Sequence, residues 1–327
     1  DHWHALVAIH SVQAGKDVYL QKPQAYTITE GLAVQAAVRA NHRILQMGSQ
    51  QRSSAEFQQA IALVRAGGLG NIKEVYCRVG EPPKPLDLPE MPVPENLNWN
   101  LWMGPLTDPK IHYHPDLCPP ISLDPAENEK LWGAWRWYSE TGNGYPADWG
   151  AHMYDIAQAA LGMDGLGPVE YIPKGYKGAE WDTMKYANGI IMQERPYTDD
   201  KEAKGIKFIG DKGWLKVARG YIECSDSKLL KKQQESIGKG QYEVSSPHMQ
   251  NFIDAIRNHV DPIAPVEYGT STNTLCCLTN IARELGRPVR WNPATLNFEG
   301  DKEAAAHRLY YYEYRRPYHL PYLDKRC

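Results

Sequence analysis

Over the first 66 positions the apolar residues change period repeatedly. The stretch WHALVAIHSVQA (3–14) repeats apolar positions at helical spacing and stops at Gly15, a helix C-cap. A short strand over 17–21 follows and runs into Gln21, Lys22 and Pro23. Thr29-Glu30 opens a second helix that reaches about Asn41, and Ile44–Met47 reads as the next strand, closing at Gly48-Ser49. Helix, strand, helix, strand in this order predicts a parallel sheet of the α/β type. An amphipathic helix over 53–66 then places Phe57, Ile61 and Val64 on one side and ends at Gly67-Gly68.

Beyond it the pattern changes. Residues 72–79 read as a strand, and the proline-rich stretch 81–125 has little periodicity and reads as a long ordered loop. Residues 132–138 are aromatic and basic, and 146–161 form a helix. Strands of antiparallel style are predicted over 168–173, over 183–187 and 190–194 around Asn188-Gly189, and over 206–210 and 214–218 around Asp211-Lys212-Gly213. Helices over 247–259 and 267–285 precede a tail (309–322) that alternates Tyr, Arg and Pro. The predicted fold is α/β. By pattern, residues 1–52 read as the second half of a nucleotide-type α/β domain and residues 53–327 as an α+β domain with a mostly antiparallel sheet.

Composition narrows the function classes. The 327 residues carry a net charge of −3, so no basic excess points to nucleic acid, and no apolar run is long enough to span a membrane. Trp (10) and Tyr (20) far outnumber Phe (4), a bias that fits carbohydrate-binding surfaces and oligomer interfaces equally. Cysteines at 77, 118, 224, 276, 277 and 327 lack CxxC spacing and read as buried or idle thiols that do not fix the compartment. The first residue is Asp1 and no signal peptide is visible, so the expectation is a processed chain or a fragment. Localisation stays open between the cytoplasm and export to the periplasm.

Two stretches carry candidate chemistry. The strand ending at Lys22-Pro23 places a cation where ligands sit in α/β sheets. In YPADWGAHMYDIAQAALGMD, Asp148, His152 and Asp155 share one helical stripe opposite Met153, Ile156 and Ala160. Such a stripe ordinarily faces water. An aspartate four residues before a histidine can instead fix the imidazole tautomer and raise its basicity for general-base work. Tyr145, Trp149 and the glycines at 142 and 144 make the start of this helix a plausible pocket wall.

Read together, DHWHALVAIHSVQAGKDVYLQKP, DWGAHMYD and IKFIGDKGWLKVARG resemble three motifs of the Gfo/Idh/MocA family (glucose–fructose oxidoreductase, inositol dehydrogenase and relatives). These are a segment ending in Glu-Lys-Pro, the helix Asp-x-Gly-x-His-x-x-Asp, and a strand of the form Phe-x-Gly-x-x-Gly-Trp. The resemblance covers nearly the whole chain. It implies an NAD(P)-dependent oxidoreductase that moves a hydride between nicotinamide and a secondary hydroxyl of a sugar, cyclitol or glycoside, and NAD is not distinguished from NADP. It implies that residues 1–52 are the C-terminal portion of a Rossmann-type dinucleotide-binding domain and that residues 53–327 carry a large open sheet for substrate binding and oligomerisation. It implies Lys22 as the active-site lysine, Asp148 and His152 as the proton-handling pair with His152 as base, and Asp155 and Arg52 near substrate. Tyr145 at the helix start and Arg136 just before it are further candidates for substrate contact, with surface packing equally open for Arg136. His4, Trp3, Gln21, Pro23 and Gln50 are implied beside the cofactor, no metal is implied, and a homodimer or homotetramer through the open sheet is expected.

Two departures stand out. Gln21 replaces the usual glutamate and removes an anion beside Lys22. The glycine-rich phosphate loop is absent from this sequence. The expectation is that the N-terminal part lies outside it, or that the dinucleotide grip is lost. Two further readings therefore stand beside the main one: an NAD-dependent glycosidase working by transient oxidation and elimination, and a non-catalytic sugar-binding or assembly protein. Asn98–Pro105 resembles a Trp-x-Gly-Pro stretch of sugar-directed members and fits either cleft lining or core packing. His112 and His114 lack acidic neighbours at ligand spacing, and the tail is expected to be a packed C-terminal arm, with an interface role left open.

Overall fold

The computed structural model describes residues 1–119, 133–231 and 247–322. Trp132 and the end of the predicted 81–125 loop lie outside the described residues.

The predicted alternation at the front is present. Helix α1 (His4–Gln13) buries Ala5, Leu6, Ala8, Ile9 and Val12. Strand β1 (Val18–Leu20) pairs in parallel with β2 (Leu45–Met47), Leu20 opposite Met47. Between them runs α2 (Ile28–Ala40), which starts at a capping box: Thr27 Oγ1 accepts the Glu30 N–H while the Glu30 carboxylate accepts the Thr27 N–H. A 3-10 turn (Gln50–Ser53) leads into α3 (Ala55–Arg65). The core of this front unit is not confined to its own residues. Ala264, Val266, Tyr314 and Leu320 pack into it.

The rest of the chain builds one nine-stranded sheet. Its strands are β3 (Ile72–Arg78), β4 (Glu170–Ile172), β5 (Asp182–Lys185), β6 (Ile191–Glu194), β7 (Gly205–Gly210), β8 (Gly213–Ala218), β9 (Tyr221–Cys224), β10 (Val289–Asn292) and β11 (Asn297–Phe298). Their order is β11-β10-β4-β5-β6-β3-β7-β8-β9, antiparallel throughout except for the β3–β6 pair. Both predicted hairpins are present, and Gly189 at the β5–β6 turn takes φ +86°, a conformation open to glycine. Strands β9 to β11 have no counterpart in the predicted pattern. They are two to four residues long, too short for an alternating pattern to stand out, although β9 does alternate, with Tyr221 and Glu223 exposed and Cys224 buried.

Three helices cover one sheet face or link it to the front: α4 (Trp99–Met103), capped by Asn98 inside the predicted loop; α5 (Gly144–Asp148); and α6 (Gly150–Leu161). The single helix expected over 146–161 is thus two, joined at Trp149-Gly150, where glycine weakens helical continuity. Helices α7 (His248–Asn258), α8 (Val266–Leu285) and α9 (Lys302–Ala305) complete the chain, and α8 packs on both α2 and α6. The C-terminal arm packs within the chain. Ile28 N and Thr29 N donate to Leu309 O and Tyr310 O, the Tyr312 and Tyr314 hydroxyls reach the Glu30 carboxylate, and Arg315 holds Gly104 O. No helix among the described residues is long and apolar enough to cross a membrane.

Candidate active site

The backbone turns sharply where β1 ends. The Gln21 side-chain oxygen accepts the Lys22 N–H at 2.8 Å, and the Lys22–Pro23 peptide is cis. Lys22 Nζ then donates to Asp148 Oδ1 at 2.5 Å and to the Asp148 carbonyl at 2.9 Å, which ties the end of β1 to the last residue of α5. Arg136 Nε lies 3.8 Å from the same carboxylate oxygen. Its guanidinium sits 4.4 Å from the Trp135 ring centre, and burial lowers its pKa while Asp148 opposes that shift. A cleft of about 160 Å³ is lined by Lys22, Pro23, Gln21, Arg136 and Asp148, together with Asp1. A fixed ammonium, a carboxylate and a second cation therefore converge at the C-terminal end of a parallel strand, where a hydroxyl-bearing ligand can be both oriented and polarised.

The polar stripe of the sequence does not face water. His152 is 5% exposed and Asp155 2%. The stripe meets two different neighbours. Asp148 turns to Lys22, and no hydrogen bond joins it to His152, so the pair formed is Lys22–Asp148 and not the expected Asp148–His152. The His152 Nδ1 is buried without a hydrogen-bond partner among the described residues. Burial first, then the charges of Lys22 and Arg219, lower its pKa to about 3, so it is neutral at ordinary pH. Arg219 comes from the β8–β9 turn and lies 4.5 Å from the Trp149 ring centre. Nothing in its local sequence marks it as part of this site.

One turn deeper, Asp155 is consumed by Arg52. Arg52 Nε and Nη2 donate to its two carboxylate oxygens at 2.7 and 2.8 Å, Nη2 also reaches Asp164 at 2.6 Å, and the guanidinium lies 4.7 Å from the Tyr268 ring centre. Substrate contact was expected of both residues. The structure instead places them in a buried ion pair that fixes the turn after β2 against α6, and with it the posture of His152.

The remaining candidates divide. His4 Nδ1 contacts Pro23 O at 2.5 Å, and burial foremost lowers its pKa to about 3. It braces the Lys22-Pro23 turn from beneath. Gln50 is exposed and donates to the Tyr19 hydroxyl at 3.1 Å. Trp3 is committed elsewhere, its indole N–H lying 3.1 Å from both the Leu101 and Trp102 carbonyls, so it packs the start of α1 onto α4 and does not line the cleft. Tyr145 stacks on Trp137 at 4.3 Å, under Lys204, and also lies outside the Lys22 cleft. His112 contacts the backbone carbonyls of Lys110 and Leu88. Asn98–Pro105 serves packing: α4 stacks Trp99 on Trp102 at 4.7 Å.

Residues 83–320 match the family described as "Oxidoreductase family, C-terminal alpha/beta domain". That is most of the chain, and the chain belongs to the Gfo/Idh/MocA oxidoreductase family. A search of curated proteins finds no match. Among solved structures, the WlbA dehydrogenase of Chromobacterium violaceum, determined with NADH and UDP-GlcNAcA, is 18% identical over 88% of this chain and 74% of its own, with a TM-score of 0.56. The WlbA dehydrogenase of Bordetella pertussis, with the same ligands, is 17% identical over 88% and 75%, with a TM-score of 0.55. The aldose-aldose oxidoreductase of Caulobacter crescentus, determined with glycerol, is 16% identical over 89% and 76%, with a TM-score of 0.53. At these identities the likeness is one of fold.

Proposed function

We propose that this chain works as an NAD(P)-dependent oxidoreductase on a secondary hydroxyl of a sugar, cyclitol or glycoside, with Lys22 as the cation beside the reacting oxygen. The observation that carries this reading is the Lys22–Asp148 ion pair at the end of β1, inside a cleft that Arg136 also lines. Membership of an oxidoreductase family supports it, as do relatives of the same fold determined with NADH.

The described residues fit one end of a dinucleotide better than the other. The ends of β1 and β2 present Gln21–Pro23 and the exposed Gln50, suited to a nicotinamide amide and ring. Neither strand leads through a glycine-rich turn into a helix, and the N-terminus of α2 is filled by its own Glu30, so these turns do not fit the diphosphate. When bound, nicotinamide supplies the hydride acceptor. Lys22 Nζ, held by Asp148, donates to the substrate oxygen and stabilises the alkoxide as it forms. His152, neutral by burial and set behind the cleft lining one helical turn beyond Asp148, takes the proton in this proposal, and negative charge growing on the substrate oxygen offsets the Lys22 field that otherwise weakens it as a base. Arg136 orients a neighbouring hydroxyl. Assembly into a dimer or tetramer through the open sheet belongs to the same proposal; that face carries Arg195 4.1 Å from the Tyr76 ring centre and Lys207 5.3 Å from that of Trp214.

The test is turnover of NAD⁺ and of NADP⁺ with a panel of sugars and cyclitols, following both the reduced cofactor and the carbohydrate product. A keto-sugar with reduced cofactor is expected, and Lys22→Ala should lower kcat/KM by about 10²–10⁴ with the fold intact. A free sugar with no cofactor consumed would instead indicate elimination chemistry. Turnover unchanged in Lys22→Ala would overturn the assignment.

A further inference from the structure

A second cavity, of about 400 Å³, shares no lining residue with the Lys22 cleft and is larger than it. It opens at the C-terminal ends of β3 and β6, the sheet's parallel pair, and is closed by the loops after β4 and before β5 and β7. Parallel strand ends are where backbone and side chains diverge to leave a crevice. Nothing in the chemistry at Lys22 uses it.

Its floor is two buried ion pairs. Arg78 Nη1 donates to Glu194 at 2.9 Å, and Arg283 Nη2 donates to Asp182 at 2.8 Å. All four side chains are 14% exposed or less. One wall is Trp181, whose indole N–H is buried without an acceptor among the described residues; Arg195 and Lys174 place cations 5.3 and 5.7 Å from its ring centre. The rim adds Lys201 on one sign and Glu81 and Glu202 on the other. Cations and anions in the lining therefore balance, four against four. A balanced, already paired lining gives no net field to capture an anion or a cation. It does offer fixed donors and acceptors side by side and an aromatic wall, the set that a neutral polyhydroxylated molecule satisfies.

We propose that this cavity is a second binding site, separate from the Lys22 cleft, for a neutral, hydroxyl-rich ligand of the saccharide or cyclitol class. Trp181 provides the stacking face, and the Arg78–Glu194 and Arg283–Asp182 pairs provide the hydroxyl contacts. The site requires no turnover, so its existence does not depend on the function proposed for Lys22.

The probes are glucose and myo-inositol, with glucuronate and glucosamine as charged comparators, each titrated calorimetrically into the full chain. Wild type, Lys22→Ala, Trp181→Ala and Trp181→Phe are compared, with thermal unfolding as the check on folding. Binding of a neutral probe should persist in Lys22→Ala and weaken about tenfold in Trp181→Ala. Trp181→Phe keeps an aromatic face of smaller area, so it should weaken binding by a smaller factor and serves if the alanine variant does not fold. The proposal is overturned if neutral probes bind wild type but not Lys22→Ala, if neither Trp181 variant changes the affinity, if no neutral probe binds, or if a charged comparator binds tenfold more tightly than its neutral parent. Loss of turnover in Lys22→Ala, with retained binding that Trp181→Ala weakens, separates the two sites.

Discussion

Replacing Arg52 by methionine removes one partner of an ion pair from which water is excluded. Arg52 and Asp155 are 5% and 2% exposed, and two hydrogen bonds of 2.7 and 2.8 Å join them. Without Arg52 the Asp155 carboxylate keeps only the Thr272 hydroxyl at 3.3 Å. Breaking a buried pair in this way costs about 3–5 kcal/mol. For 327 residues the entropy of unfolding is roughly 0.7 kcal/mol/K, so the midpoint should fall by about 4–7 °C. The deficit should also depend on pH. Burial already raises the Asp155 pKa above 3.8, and Arg52 is the principal group opposing that rise. With Arg52 gone, Asp155 stays protonated in the native state to higher pH than in the unfolded chain. The native state then binds more protons, so its stability falls as pH rises above 3.8. Denaturant titrations of wild type and Arg52→Met at acid and neutral pH should show the gap widening toward neutrality, and the double variant Arg52→Met/Asp155→Leu should recover part of it. A loss below about 1 kcal/mol, or a gap independent of pH, would refute the reasoning.

Three further outcomes are expected. His152 has a folded pKa of about 3 against an ordinary 6.5, so the unfolded state takes up its proton first and wild-type stability should fall as pH drops from 6.5 toward 3; His152→Asn should flatten that limb, and identical slopes would count against its burial. Asp148→Asn should leave the stability within about 2 kcal/mol of wild type but lower kcat by about 10²-fold with a smaller change in KM, because it removes the carboxylate charge that anchors Lys22 Nζ and leaves only the backbone carbonyl contact at 2.9 Å unchanged; an unchanged kcat would contradict this. Gly104 has φ +50° and a Cβ there would come within 2.5 Å of the Trp3 ring, so Gly104→Ala should cost about 1–3 kcal/mol in chemical denaturation, and a neutral result would show that the α1–α4 contact yields easily.

What the sequence made legible follows period and turn chemistry. Val18–Leu20 and Leu45–Met47 were readable as neighbouring parallel strands because helical stretches separate them, and Asn188-Gly189 marked its hairpin because few other residues take that turn. Strands β10 and β11 escaped because two to four residues are too few for a period to be read, even where Val289-Arg290-Trp291-Asn292 alternates. In the site, spacing placed Asp148, His152 and Asp155 on one face, but spacing names a face and not its partner. That face is divided between Lys22, arriving from β1, and Arg52, arriving from the turn after β2, each about a hundred residues or more away in sequence. The same limit hid Arg219, whose position above Trp149 depends on where the β8–β9 turn lands. The C-terminal tyrosines were recognisable as an arm, yet their anchor, the Glu30 carboxylate at the start of α2, lies 282 and 284 residues earlier.

The most direct measurement follows the transferred hydrogen. A sugar or cyclitol that supports turnover is deuterated at the carbinol carbon, incubated with the oxidised dinucleotide and the full chain, and the reduced dinucleotide is examined by mass spectrometry for label at nicotinamide C4. Label should appear with wild type and be lost with Lys22→Ala. Reduced dinucleotide without label, or equal labelling by the Lys22→Ala variant, would contradict a hydride-transfer site built on Lys22.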